Sequence, residues 1–275
     1  MAKRARRASV AEERAARERR SGLFKIAGVA VAVAAVGVLY YSVMSGRKAL
    51  DPETLCPAEP TSMTVLLVDV TDPLNPAQRQ DFMNQLAGLK NSIPRYGQLT
   101  VAKVDATSDK LLAPVIVRCN PGTAADANSA TGDPGKLQKQ WEEGFSRPLD
   151  AAFEQLSKAS GAETSPILES IQSVNLTELQ KPATRDKPKR LIIVSDLLQN
   201  TAEASFYGAL PTPETFLASP AFQKARTDLR GVELELWMLQ RPDGAATQPR
   251  ALPDLWDAAI SKQGGFVKRV YNVSG

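Results

Sequence analysis

The sequence predicts an α/β domain with a mostly parallel central sheet and helices on both faces, preceded by a single transmembrane helix. After residue 62, segments typical of strands alternate with segments typical of helices, and this order favours parallel strands joined by crossover helices. Near the start, residues 26–46 contain no charged side chain. A helix of 21 residues rises by about 1.5 Å per residue and so spans roughly 31 Å, enough to cross a bilayer.

The basic residues are concentrated before this apolar segment. The chain has 34 Lys and Arg against 30 Asp and Glu, a net charge of +4. Residues 1–25 hold nine basic and three acidic residues, a net +6, which leaves −2 for the remainder. A basic balance that comes from one short tail argues against a nucleic-acid partner. By the positive-inside rule, we expect the tail to stay in the cytoplasm and residues 47–275 to be exported.

Two other interpretations of residues 26–46 compete with a membrane span. A buried core helix would normally be shorter or carry a polar face. A cleaved signal peptide would have an apolar region of about 7–15 residues and a small-x-small exit, whereas this segment continues into Tyr40 and Tyr41. We therefore expect an uncleaved signal anchor in a bacterial inner membrane, followed by a linker at 47–61 and one periplasmic domain at 62–275.

The two cysteines, Cys56 and Cys119, both fall on the side that is expected to be exported. An oxidising compartment favours a disulfide between them, although two separate buried thiols are an alternative that the sequence leaves open. The chain contains no histidine. This excludes Ser-His and Cys-His catalysis and zinc sites that use histidine.

Six segments rich in large apolar and β-branched residues predict strands. The first is apolar until it ends in acids. The core of a later one, "LIIV" at 191–194, is continuously apolar, as in a strand covered on both faces. The last is expected at a sheet edge. The predicted strands lie at 64–70, 99–106, 114–119, within 189–200, at 232–239 and at 266–271.

Helix signals lie between these strands. Asn75 and Pro76 supply an N-cap followed by proline at the first helical position. Between residues 137 and 153, large apolar residues recur at every fourth position, and Pro148 predicts a kink or a split there. The Gly-, Asn- and Asp-rich stretch 120–135 predicts a surface loop. Further helices are expected at 167–171, from Thr212-Pro213, and at 252–260 before Gly264-Gly265.

Acidic and hydroxyl side chains follow two of the predicted strands. Asp69, Thr71 and Asp72 follow the first strand, and Asp196 follows the "LIIV" strand. Functional groups of open α/β sheets gather at the carboxyl ends of the strands, near a topological switch point. If these two strands are neighbours, their carboxylates need a cation, hydrogen-bond donors or a raised pKa. The alternative is that the acids only form turns and cap helices.

The order of elements and these residues resemble a von Willebrand factor A-type domain, which has a Rossmann-like fold. That family has Asp-x-Ser-x-Ser after an apolar strand, a Thr or Ser in a later loop and an Asp after a further central strand. Together they form a metal-ion-dependent adhesion site. The resemblance covers about residues 62–273, and its motif is degenerate because Pro73 stands where the second Ser would be. The implied ligands of Mg²⁺ or Ca²⁺ are Asp69, Thr71, Asp72, Thr164, Ser165 and Asp196.

Ser165 also has a plain structural interpretation. It precedes Pro166, and a Ser followed by proline is a common start of a helix, in which the hydroxyl caps the first turn. The same holds for Asp72, which precedes Pro73. For both residues, the ligand role and the capping role stay open at this point.

Two classes of function agree with the sequence. The first is a membrane-anchored, extracytoplasmic binding module without enzymatic activity, which contacts a protein partner in the cell envelope with or without a metal ion. The second is a metal-assisted hydrolase or phosphoryl-transfer enzyme that uses Asp69, Asp72 and Asp196. The first is favoured because the chain lacks histidine, a Gly-rich phosphate loop and an obvious lysine beside the acids.

Overall fold

The computed structural model describes residues 2–45, 48–71, 73–104, 111–128, 132–156, 163–241 and 248–273. The chain divides into two compact units, Met1–Ala49 and Leu50–Gly275. The first unit contains one helix, α1 (Ala2–Ser45). Its stretch Arg17–Tyr41 is, by length and composition, long and apolar enough to cross a membrane. This confirms the predicted N-terminal apolar helix, which also extends through most of the basic tail.

The second unit is built on a six-stranded sheet. The strands are β1 (Met63–Val68), β2 (Gln98–Lys103), β3 (Ile116–Cys119), β4 (Lys189–Ser195), β5 (Val232–Leu239) and β6 (Phe266–Val273). Their order across the sheet is β3-β2-β1-β4-β5-β6. Strands β2 and β3 run antiparallel, and the other four neighbouring pairs run parallel. The predicted mostly parallel sheet is therefore confirmed, with β6 at an edge.

The direction of winding reverses between β1 and β4. From β1 the chain moves outward to β2 and β3, and it then returns to β4 on the other side of β1. Val68 at the end of β1 pairs with Val194 of β4, so the residues that follow both strands emerge side by side. A reversal of this kind leaves a crevice at the carboxyl ends of the strands, which is where α/β proteins bind ligands.

Helices cover both faces of the sheet, as predicted. The helices of this unit are α2 (Pro76–Ser92), α3 (Pro134–Trp141), α4 (Arg147–Leu156), α5 (Ile167–Val174), α6 (Pro213–Ala218), α7 (Pro220–Lys224) and α8 (Leu252–Lys262). Helices α5 to α8 pack against one face, which presents Leu67, Ile193 and Leu236. Helices α2 and α4 pack against the other face, which presents Leu66, Ile192 and Trp237.

Local sequence explains where α2 begins and why α3 and α4 are separate. Asn75 caps α2 by accepting the Gln78 N–H at 2.8 Å, with Pro76 at the first helical position. The split predicted at Pro148 takes the form of a π-helical turn, Glu142–Ser146. Because a proline ring collides with the carbonyl four residues earlier in a regular helix, the wider turn accommodates it.

Cys56 and Cys119 form a disulfide, with their Cα atoms 4.8 Å apart. Cys119 ends β3, and its N–H donates to the carbonyl of Thr54 at 2.9 Å. A further bridge joins Leu50 to Pro57. Part of the segment expected to be a linker therefore packs with the folded domain, because the disulfide ties it to the edge of the sheet.

Candidate functional site

A polar cluster of four buried residues, Asp69, Ser165, Ser195 and Asp196, lies where β1 and β4 end. Asp69 is at its centre. It is 5% exposed. Its Oδ2 accepts hydrogen bonds from Ser165 Oγ at 2.6 Å and from Ser195 Oγ at 2.9 Å, and its Oδ1 accepts the N–H of Thr71 at 3.0 Å. Three donors therefore hold this buried carboxylate in one orientation, and none of them is charged.

Ser165 reaches Asp69 because its backbone pairs with the segment that follows β4. Its N–H donates to the carbonyl of Asn200 at 2.8 Å, and the N–H of Asn200 donates back at 2.9 Å. The N-cap of α5 is Pro166, and no side chain caps this helix. The interpretation of Ser165 as a helix cap is therefore wrong. Its hydroxyl is buried and donates to Asp69 instead.

Ser195 belongs to the same cluster and was not predicted. It is the last residue of β4 and is fully buried. Besides donating to Asp69, its Oγ accepts the N–H of Leu197 at 2.9 Å. The one signal in the sequence is its place between the apolar "LIIV" and Asp196, where a polar side chain of a doubly covered strand requires a partner.

Asp196 is 3% exposed and has a different set of partners. Its Oδ1 accepts the N–H of Leu198 at 3.0 Å, and its Oδ2 accepts Nε–H of Arg241 at 3.0 Å in an ion pair. The pKa of the Asp196 carboxyl is raised to about 6, mainly because the group is buried, and the nearby charge of Asp69 acts in the same direction. The hydrogen bond from Leu198 and the charge of Arg241 oppose that rise in the pKa.

Arg241 and Gln248 were also missed from the sequence. Arg241 lies just after β5. The side-chain amide of Gln248 donates to the carbonyls of Asp196 and Leu239 at 2.8 Å each, and its Oε1 accepts the N–H of Arg241 at 3.0 Å. Gln248 thereby ties the ends of β4 and β5 together and holds the backbone of Arg241 close to that of Asp196.

The turn after Asp196 is strained. Leu197 has φ of 64°, a left-handed conformation that is unfavourable for a residue with a branched side chain. It is fully buried, and its carbonyl accepts Nε1–H of Trp256 from α8 at 2.9 Å. Packing and this hydrogen bond therefore hold a conformation that the isolated segment would avoid.

The structure brings together only some of the residues that were predicted as ligands. Asp69 and Ser165 are in direct contact, and Asp196 is near enough for the charge of Asp69 to act on it. Thr71 contributes its backbone N–H. Thr164 is partly exposed beside Ser165, and Asp72 lies outside the described residues.

The donor set fits a divalent cation poorly. Mg²⁺ and Ca²⁺ take six or more oxygen ligands, whereas Asp69 and Asp196 already accept five hydrogen bonds from protein donors, one of them from a cation. Within the described ranges, no group of three or more Asp, Glu, Cys or His side chains is placed to hold a metal. Metal binding stays a prediction from the family resemblance. The ion pair with Arg241 occupies a carboxylate oxygen of Asp196 that a metal ion would need.

Comparisons with known proteins give no family assignment. No family model matches the chain, and no curated protein matches it. Among solved structures, the chain is similar to the conserved hypothetical protein BatB from Bacteroides thetaiotaomicron, with 10% identity, a TM-score of 0.38, and coverage of 77% of this chain and 91% of that one. It is also similar to an aerotolerance-related membrane protein from Bacteroides fragilis NCTC 9343, crystallised with multiple mutations to serines, with 6% identity, a TM-score of 0.40, and coverage of 78% and 92%. No residue's role follows from either likeness.

Proposed function

We propose that the protein is a membrane-anchored binding module that presents the carboxyl ends of β1 and β4 to a protein partner in the cell envelope. The observation that supports this most is the position of the cluster. Asp69, Ser165, Ser195 and Asp196 lie where the sheet reverses its direction of winding, which is the usual binding crevice of such sheets. The domain is exported, and α1 anchors it as a von Willebrand factor A-like module.

The arrangement suits binding better than catalysis. The hydroxyls of Ser165 and Ser195 are buried and both donate to the same carboxylate, Asp69, so neither hydroxyl is presented to a substrate as a nucleophile. The chain has no histidine that could take this role. The cluster therefore acts as a rigid support for the loops around it, which is what a binding surface requires.

The residues offered to a partner lie on the loops that leave β1 and β4. Pro73, Glu203 and Tyr207 are exposed there, and Tyr207 keeps 44% of its surface accessible. The segment from Asn200 to Ser205 is folded back on itself by a bridge, and Asn200 is also bridged to Ser165. The polar cluster thus fixes the position of the loop that carries Glu203. Tyr207 follows in the same stretch of sequence, and tyrosine is a residue type enriched in protein interfaces.

Photo-crosslinking in intact cells tests this function. A photoreactive amino acid replaces Glu203 at the proposed surface, and in the matched control it replaces Asp186, which is exposed before β4 at the opposite end of the sheet. We expect a discrete adduct from position 203, none of the same mass from position 186, and loss of the adduct when Asn200→Gly removes the side-chain bond to the Glu163 carbonyl. Equal adducts from both positions, or none from position 203, would contradict the proposal.

The orientation in the membrane gives a separate prediction. Because the basic tail is expected to remain in the cytoplasm, a reporter that is active only in the periplasm should work when it is fused after Gly275. A reporter that is active only in the cytoplasm should fail at the same position. Enzymatic assay of the two fusions at equal expression decides the matter, and the reverse pattern would overturn the orientation.

A further inference from the structure

Among the described residues, the cation that pairs with a buried carboxylate of the cluster is Arg241. Asp69 and Asp196 are both buried and follow neighbouring strands. Asp69 is held by two hydroxyls and one amide, all uncharged, whereas Asp196 receives a guanidinium donor at 3.0 Å. Two buried carboxylates repel each other, and a nearby positive charge offsets that repulsion. Arg241 supplies that charge.

The position of Arg241 is itself fixed by the fold. Its side chain is 23% exposed, so solvent screens the ion pair only in part. Its backbone is held by Gln248, whose amide also binds the main chain of Asp196 and Leu239. Since a guanidinium does not lose its proton in proteins, the positive charge beside Asp196 is permanent.

We propose that the guanidinium of Arg241 is the built-in counter-cation of the carboxylates of Asp69 and Asp196 and keeps divalent cations from binding them. An ion that bound Asp196 would have to displace Nε–H from Oδ2 or lie within a few ångströms of a fixed positive charge. In a site of low exposure, that repulsion is poorly screened. The proposal concerns only the charge balance of Asp69, Asp196 and Arg241, and it does not depend on the protein partner proposed above.

Three variants of the full-length protein in detergent micelles test the proposal. Arg241→Met removes the charge and keeps a long side chain, Arg241→Lys keeps the charge, and Arg241→Met combined with Asp196→Asn removes both members of the pair. The melting temperature of each is measured with chelator, and then in millimolar Mg²⁺, Ca²⁺ or Mn²⁺ against NaCl of equal ionic strength.

The parent and Arg241→Lys are expected to show no shift that is specific to an ion. Arg241→Met should melt at a lower temperature in chelator and should regain stability with a divalent ion. At an ion concentration ten times Kd, mass action shifts the folding equilibrium about elevenfold, which for a domain of this size is about 3–6 °C in melting temperature. The double variant should recover part of the lost stability and should not respond to ions.

Two results would overturn the proposal. One is an ion-specific shift in the parent as large as that of Arg241→Met, and the other is a folded Arg241→Met that responds to none of the three ions. A second measurement needs no Arg241 variant. The electron paramagnetic resonance signal of free Mn²⁺ should be the same with the parent and with Asp69→Asn, and one bound ion per chain that is lost in Asp69→Asn would also overturn it.

Discussion

Replacement of both cysteines by alanine is expected to lower the free energy of unfolding by about 4 kcal/mol, one of the two largest effects that we predict. Cys56 and Cys119 are separated by 63 positions, and closing a loop of this length removes about that much conformational free energy from the unfolded chain in the chain-entropy model. The loss should appear as a lower urea midpoint with a steeper slope, because the unfolded chain without the disulfide is less compact. The segment before β1 should also exchange its amide hydrogens faster, because only hydrogen bonds such as Cys119 N–H to Thr54 then hold it.

The reduced parent protein is the matched control for this variant. It loses the same covalent constraint and keeps both side chains, so its urea midpoint should agree with that of the double alanine variant. A variant within about 1 kcal/mol of the oxidised parent would contradict the prediction, since that is well below the range for native disulfides. Two free thiols in protein purified from the cell envelope would contradict the disulfide itself.

Substitution of Trp256 by alanine is expected to have an effect of similar size. The side chain is fully buried in α8, with its ring 6.0 Å from that of Phe206. Trp256→Ala should cost about 3–5 kcal/mol, because it removes a large buried aromatic group and leaves a cavity. Trp256→Phe keeps most of the apolar contact but leaves the carbonyl of Leu197 without its donor, which should cost about 1–3 kcal/mol.

Hydrogen exchange separates the effect on the site from the effect on the core. Trp256→Phe should speed exchange of the Leu197 and Leu198 amides, which donate to Ser195 and Asp196, because the strained turn then loses its external support. Trp237→Phe is the matched control, since its indole N–H donates to Glu235 and its ring belongs to the core on the other face of the sheet. Equal acceleration at Leu197 in both variants would refute a specific role for Trp256.

The sequence predicts much of this fold because the signals are local. The alternation of apolar strands and capped helices identifies the mostly parallel sheet, and the Asn75-Pro76 pair locates the start of α2. The acids at the exits of β1 and β4 are also local, since Asp69 and Asp196 directly interrupt apolar runs. Their proximity needed one further fact, that β1 and β4 are neighbours, which the structure supplies.

The rest of the cluster depends on contacts between residues that lie far apart in the sequence. Ser165 donates to a carboxylate 96 positions away, and Arg241 pairs with one 45 positions away. A serine before proline fits a helix cap equally well from the sequence alone, and an arginine after a strand resembles an ordinary solvated residue. Only the folded chain shows which buried carboxylate each of them satisfies.

Anomalous diffraction from crystals of the protein soaked in millimolar Mn²⁺ tests the central claim most directly. The claim is that Arg241 balances the charge of Asp69 and Asp196 at the carboxyl ends of β1 and β4, so that these carboxylates need no metal ion. We expect Arg241 Nε to remain on Asp196 Oδ2 and the hydroxyls of Ser165 and Ser195 to remain on Asp69, with no anomalous peak between the two carboxylates. A Mn²⁺ peak within coordination distance of oxygens of Asp69, Ser165 or Asp196, about 2.0–2.6 Å for hard cations, with Arg241 displaced, would contradict it and would identify a working metal site.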